Sequence, residues 1–260
     1  MTAPSPQLSV PPNPGVRART IHADDDFIVV CKPAGLVTQP GKGHARDALL
    51  NGLFATHGKQ LQNLGKARDF GLLHRLDRPT SGLVLVGLTH RGYDGLRAQF
   101  EARSLKKTYL ALLRGSPRPA RGTVDLPIAA VRRGGLKVAR LGRGRGAKQA
   151  VTDYQVVARA AGVSLVECQP RTGRLHQIRA HMAHLSCAVV GDREYGPRDD
   201  LDGEFRRACG KRSIFLHAGG LQFDHPVTGR RLTVQAPLPD QLLAFLDQKG
   251  VACPRQWKGR

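Results

Sequence analysis

The 260-residue sequence is short of acid: 20 Asp and Glu stand against 41 Lys and Arg, a formal charge of +21 with histidine neutral. That imbalance points to a polyanionic partner, nucleic acid first and an anionic membrane surface second, and argues against a cationic substrate. No run approaches the roughly 18 apolar residues of a membrane span, so no segment is expected to cross a bilayer. The opening MTAPSPQLSVPPNPG has neither the basic stretch nor the apolar stretch of a secretory signal. Five scattered cysteines (Cys31, Cys168, Cys187, Cys209, Cys253) contain no CxxC pair, which speaks against a disulfide framework or zinc ribbon and for a reducing cytoplasm. Nucleotide and metal spacings are missing as well. Gly142 to Lys148 (GRGRGAK) is followed by Gln149, not Ser or Thr, and no HExxH occurs. His176 and His181 would fall on opposite sides of a helix. The chain is therefore expected to need no cofactor, no nucleotide and no metal.

What is present is ordinary for a folded chain: 40% hydrophobic and 23% charged residues. Residues 1–16, with Pro4, Pro6, Pro11, Pro12 and Pro14, read as a disordered proline-rich leader. Residues 17–250 read as one folded catalytic domain, and 251–260 as a basic C-terminal tail. Phe27 to Val30, Leu83 to Leu88 and Tyr109 to Leu113 are strand candidates, and Val151 to Val157 with Val163 to Cys168 suggest a strand pair turning near Gly162. Leu49, Leu50, Leu53 and Phe54 have helical spacing. Thr89 is placed to cap a helix carrying Tyr93, Leu96 and Phe100, and Asp240 to cap one carrying Leu242, Phe245 and Leu246. Leu175, Ile178, Met182 and Leu185 predict a helix over 174–185. Strands and helices mix without regular alternation, so the expected class is α+β with a mixed, largely antiparallel sheet.

From Arg132 to Lys148 lie seven basic residues, five glycines and no acid. The spacing predicts a mobile loop whose arginines can contact phosphates. A second charge run, Asp199, Asp200, Asp202 and Glu204, reads as a solvated loop.

Polar groups suited to chemistry concentrate in two places. In His74-Arg75-Leu76-Asp77-Arg78-Pro79-Thr80-Ser81-Gly82, Asp77 stands between two arginines at the mouth of a buried strand. An Asx-type turn is the plain alternative, but a nucleophilic carboxylate needs cations nearby. In the second segment Arg179 lies four residues after Leu175 and three before Met182, on the apolar side of the predicted helix. A buried arginine requires acceptors, and the sequence alone does not name them.

The HRLDxxTSG segment resembles the catalytic signature of the RluA-type pseudouridine synthases. So do Lys32-Pro33-Ala34-Gly35-Leu36, Lys107-Thr108-Tyr109-Leu110-Ala111, the RTGRLHQIRAH run from Arg171 to His181, Gly191-Asp192 with Tyr195-Gly196, and the LHA and FDHP elements from Leu216 and Phe223. They span residues 20 to 240 in family order. The resemblance implies a pseudouridine-synthase fold with a bent sheet and an isomerase that turns uridine into pseudouridine in structured RNA, ribosomal or transfer, after flipping the base. Asp77 would be the essential aspartate, Tyr109 the residue packing on the base and a candidate for taking its C5 proton. Arg179 would pair with the aspartate, and Arg75 would fill the space of the flipped base. His74, Arg78, Thr80, Arg171, Arg174, His176 and Gln177 would bind substrate. Ser186-Cys187-Ala188 departs from the family's usual Gly and Pro, and no room is expected before residue 20 for an additional RNA-binding module. A cytoplasmic monomer is the expectation. The competing readings are a passive RNA-binding protein, which could have lost Asp77, Tyr109 or Arg179, and a metal-dependent nuclease, which would need clustered carboxylates.

Overall fold

The computed structural model describes residues 8–259. Its centre follows from two apolar runs. After β1 (Arg19–Ala23) the chain turns into β2 (Phe27–Lys32), which pairs antiparallel with β3 (Ser81–Gly87). Side chains alternate across a strand. Ile28, Val30, Val84 and Val86 therefore face α1 (Leu49–Leu64) through Leu49, Leu53 and Phe54. Phe27, Val29, Leu83 and Leu85 face the other way, onto Tyr93 and Leu96 of α2 (His90–Glu101). Both faces are covered, which is why β3 reads as an unbroken apolar run. Thr89 caps α2 as its position predicts, its hydroxyl accepting the Gly92 N–H at 3.1 Å.

The second half repeats the device. β4 (Lys106–Arg114) sends Leu110 and Leu112 to one core and Ala111 and Leu113 to another. β5 (Arg121–Asp125) leads to a separate hairpin of β6 (Ile128–Arg133) and β7 (Leu136–Leu141). β8 (Val151–Ala160) and β9 (Val163–Pro170) form the expected pair around Gly162. Next come α3 (Gln177–His184), α4 (Asp200–Cys209), β10 (Leu216–Asp224), β11 (Arg231–Gln235) and α5 (Asp240–Gln248). Among the described residues the main sheet runs β1-β2-β3-β10-β4-β9-β8-β5, with β11 on β10. Among the described strands only β3 and β10 pair in parallel, so the fold is α+β with a mixed, largely antiparallel sheet. No described helix is long and apolar enough to cross a membrane.

The β3–β10–β4 junction positions the site. Ala218 of β10 lies opposite Gly82 on one side and Tyr109 on the other. Gly82 has φ +122°, and a side chain there would meet the Ala218 carbonyl at 2.3 Å, so only glycine permits this approach. The loop before β3 and the middle of β4 thus converge.

Several expectations need correction. The segment read as a disordered leader is packed from Leu8 onward: Val10 is buried beside Phe54, and Asn13 is tied to Asn51 by a backbone hydrogen bond of 2.9 Å. Residues 1–7 of that leader lie outside the described residues. The predicted 251–260 tail is anchored over its described residues 251–259, because Val251 and Trp257 are buried with Leu238 and Phe245, and residue 260 lies outside the described residues. The helix predicted over 174–185 starts only at Gln177, since His176 takes a left-handed conformation (φ 49°) and the Gln177 side chain accepts the Arg174 N–H. The predicted 132–148 loop is largely the β6–β7 hairpin, turned by Gly134 and Gly135 at positive φ. The acidic run is not a loop but the start of α4: Asp199 caps it, and Asp202 is buried against Arg193 at 2.7 Å. Asp240 opens α5 without capping it, the cap position being Pro239.

Candidate active site

Asp77 sits on a loop held by neighbours on several sides. Thr38 donates its hydroxyl to the Leu76 carbonyl at 2.9 Å and accepts the Leu76 N–H at 3.2 Å. Gly35 N–H donates to the Arg78 carbonyl at 2.8 Å, and Ile214 N–H to that of Pro79 at 3.3 Å. Lys32, fully buried, donates Nζ to the carbonyls of Leu36 (2.8 Å), Pro33 (2.9 Å) and Arg78 (3.4 Å). Burial pushes this ammonium down to about 7, and the Asp77 charge works in the opposite direction. Thr80 closes the turn, its N–H on the Asp77 carbonyl at 3.1 Å, while its buried hydroxyl has no partner.

The Asp77 carboxylate remains partly open, with 23% of its side chain exposed. Arg179 Nη1 is 3.5 Å from Oδ2 and His176 Nε2 is 3.9 Å away. Arg179 does more than meet Asp77. Its Nε and Nη2 grip Asp192 at 2.6 and 2.8 Å, Nη2 also reaches Glu194 at 2.6 Å, and the guanidinium lies over the Tyr195 ring. Burial opposes this charge, but Asp192 first, then Asp77 and Glu194, more than compensate and hold the arginine above its ordinary range. The bidentate partner of Arg179 is therefore Asp192, and Asp77 takes a longer contact. His176 is oriented through Nδ1, 3.0 Å from Tyr195 Oη and 3.1 Å from Glu194. Its left-handed backbone turns the ring into the cluster, which a regular helix would not do.

Tyr109 joins from β4. Burial and then the Asp77 charge push its phenol well above the ordinary tyrosine range, so it is protonated at neutral pH.

The remaining candidates divide. Arg75 is exposed beside Asp77, free of the buried cluster. Arg78 spends Nε on the Gly35 carbonyl at 3.0 Å. Arg171 is paired with Asp153 (2.6 and 2.9 Å) and Arg174 with the Gln149 carbonyl (3.0 Å), both on the strand side of α3. Two assignments to substrate binding are not supported by the placement. Gln177 is buried and fully committed, accepting from Thr172 and donating to Val151 and Thr152. His74 packs on Phe100 and accepts the Leu85 N–H, and burial drives it down to about 3, so it is a neutral strut.

Sequence reasoning missed Asp192, Glu194 and Thr38 as parts of the site. Asp192 and Tyr195 lay within a recognised motif, and the requirement of a carboxylate for buried Arg179 was the signal that could have picked out Asp192. Among the described residues no His, Cys, Asp and Glu group is arranged to hold a metal ion.

Residues 26–184 match the model of the RNA pseudouridylate synthase family. A curated relative in Bacillus subtilis, the uncharacterized RNA pseudouridine synthase YlyB, is 36% identical over 228 residues, covering 87% of this chain and 71% of that protein. Ribosomal large subunit pseudouridine synthase D of Zymomonas mobilis is 34% identical over 85% of this chain and 69% of its own length. Among solved structures, human RNA Pseudouridylate Synthase Domain Containing 4 superposes with a TM-score of 0.71 at 25% identity, covering 91% of this chain and 94% of that one. With the HRLDxxTSG loop, the arginine cluster and these relatives in agreement, the chain belongs to the RluA-type RNA pseudouridylate synthase family, isomerases that act on RNA.

Proposed function

We propose that the protein isomerises specific uridines in structured RNA, with ribosomal RNA of the large subunit favoured over transfer RNA because several relatives carry that substrate in their names. The observation that carries the reading is the half-open Asp77 carboxylate, backed by Arg179 and His176 on a loop pinned through Lys32, Gly35 and Thr38. A pinned carboxylate with one open face suits attack on, or proton removal from, a ribose brought to it from outside.

A stacked uridine does not expose C1′ and C5 to such a group, so the base must leave the helix at a cost of a few kcal/mol. Arg75, exposed next to Asp77, is placed to enter the vacated stack and offset part of that cost. Asp77 then acts while the N-glycosidic bond breaks, either as nucleophile or as base. The freed uracil turns over and rejoins through C5, and the C5 proton leaves as N1 regains one. Tyr109 serves first as the surface against which the ring rotates. Because it is protonated in the resting site, it can take the C5 proton only after passing on its own.

The β6–β7 hairpin supplies the grip. Arg132 and Lys137 lie directly opposite each other, a like-charge pairing that is unfavourable until a polyanion lies across it. The hairpin is anchored to the site, since the Ala139 N–H donates to Tyr195 Oη at 2.7 Å. We assign the working form as a cytoplasmic monomer. Pseudouridine mapping in ribosomal and transfer RNA from cells lacking the protein tests the substrate: loss at discrete large-subunit positions is expected, and an unchanged map in both RNAs overturns the reading.

A further inference from the structure

A pocket of about 310 Å³ opens beside the Asp77 loop on the side of Arg78. Segments distant in sequence build it. Arg17 comes from just before β1, Gly35 and Leu36 from the turn after β2, His44 and Asp47 from the approach to α1, and Arg212 from the approach to β10. Three arginines and one histidine thus line the pocket with a single acidic residue, and Asp47 is already engaged by His44 at 2.8 Å. The pocket is electropositive even with His44 neutral. Such a concentration of like charge at one opening favours an anion.

Its construction is specific. Gly35, at φ +84°, turns the chain beneath Arg212, whose Cβ lies 3.5 Å from where a Gly35 side chain would begin. Gly35 also exchanges two hydrogen bonds with Arg78, accepting from Nε and donating to the carbonyl. Arg78 is thereby fixed on the pocket side while its neighbour Asp77 faces Arg179. Arg17 and Arg212 are exposed and free to close on a ligand.

We infer that this pocket binds a backbone phosphodiester of the RNA strand that carries the target uridine. The inference rests on the proposed RNA isomerase activity. A phosphodiester fits better than a small carboxylate: the planar donors of arginine match phosphate oxygens in pairs, and the opening lies one residue along the chain from Asp77, where a strand delivering a flipped nucleotide must pass. Holding the neighbouring phosphate sets the register of the strand over Asp77 and puts remote binding energy toward the cost of flipping.

The test compares Arg17→Gln, Arg212→Gln and their double variant with Arg230→Gln. Arg230 removes the same charge from the β10–β11 turn, roughly 25 Å along β10 from the Ser81 pairing at the site. With a large-subunit ribosomal RNA transcript tritiated at uridine C5, each pocket variant should raise KM about three- to tenfold and flatten the log–log salt dependence by ~0.7–0.9. Arg230→Gln should change neither. Binding of oligouridylate is measured in parallel, because it reports on the pocket whether or not turnover is seen. The double variant should lose about tenfold in affinity for the phosphodiester oligomer. Wild type and double variant should bind its uncharged methylphosphonate counterpart equally. Pocket variants that match Arg230→Gln overturn the site, and equal losses on both backbones overturn phosphate as the ligand. Tritium left in both ribosomal and transfer RNA by the wild-type enzyme, while the oligomer results hold, overturns only the isomerase reading.

Discussion

Arg179 touches three carboxylates at once, and this determines how it should respond to replacement. A lysine keeps the charge but loses the planar fork, leaving Asp192, which is 2% exposed, without its bidentate partner. We expect Arg179→Lys to lower stability by ~3 kcal/mol in denaturant unfolding, the cost of a buried ion left half-paired. Turnover should fall at least about a hundredfold, some 2.7 kcal/mol of transition-state stabilisation. Asp192→Asn should reproduce the stability loss, whereas near-normal stability in either variant would contradict the pairing. The sequence carried half of this. Helical spacing turned Arg179 inward and demanded an acceptor, but Asp192 lies 13 residues on, beyond a loop that spacing does not resolve. Lys32 was visible as a motif residue and not as a clamp, because its partners are backbone carbonyls that leave no trace in side-chain patterns. His176 was visible as polar and was misplaced on a helix, since its left-handed conformation follows from the tertiary hold of Gln177 on Thr172 and Arg174.

Among the elements, the strands were the most legible and the hairpin the least. The fully apolar runs of β2 and β3 identify themselves because both faces meet helices or core. The basic hairpin lacks that signature, since among its described residues only Ile128, Ala129, Val138 and Ala139 are buried, with Ile128 and Ala139 clustered against Ala180. Neutralising Arg132, Lys137 and Arg140 to Gln should weaken RNA binding and reduce the salt slope by ~0.7–0.9 for each phosphate no longer neutralised, measured by filter binding across a salt series. An unchanged slope would make the hairpin a bystander. At the β3–β10 junction, His217 is fully buried between Ser81 (2.9 Å) and the Ala236 carbonyl (3.4 Å), and burial lowers it to about 4. The unfolded chain binds a proton on this residue at pH values where the folded chain does not. Stability should therefore fall as pH drops from about 6.5 toward 4, by a contribution on the order of 3 kcal/mol. Thermal unfolding of His217→Gln should show a shallower acid dependence over that window, and an identical slope would count against it.

At the scale of the whole molecule, both ends of the described residues contribute to the core, Val10 at one and Trp257 at the other. Trp257 is 1% exposed, its indole N–H donates to Glu167 at 2.9 Å, and its ring fills the space above Gly219. Trp257→Ala should cost about 3–5 kcal/mol in chemical unfolding, as expected for a large aromatic removed from a packed site. A loss below about 1 kcal/mol would mean that the tail is dispensable. The excess of basic residues, which first indicated only a polyanion, divides in the folded protein. The hairpin and the Arg17–Arg78–Arg212 pocket face outward, while Arg179 and Lys32 are buried in the machinery around Asp77. The most direct test of this division is tritium release from large-subunit ribosomal RNA labelled at uridine C5, comparing wild type with Asp77→Asn at matched RNA affinity. Release by wild type and a loss of at least about a thousandfold in the variant, some 4 kcal/mol, are the predicted result. Comparable release from both proteins would contradict the central claim that the pinned Asp77 carboxylate carries the isomerisation.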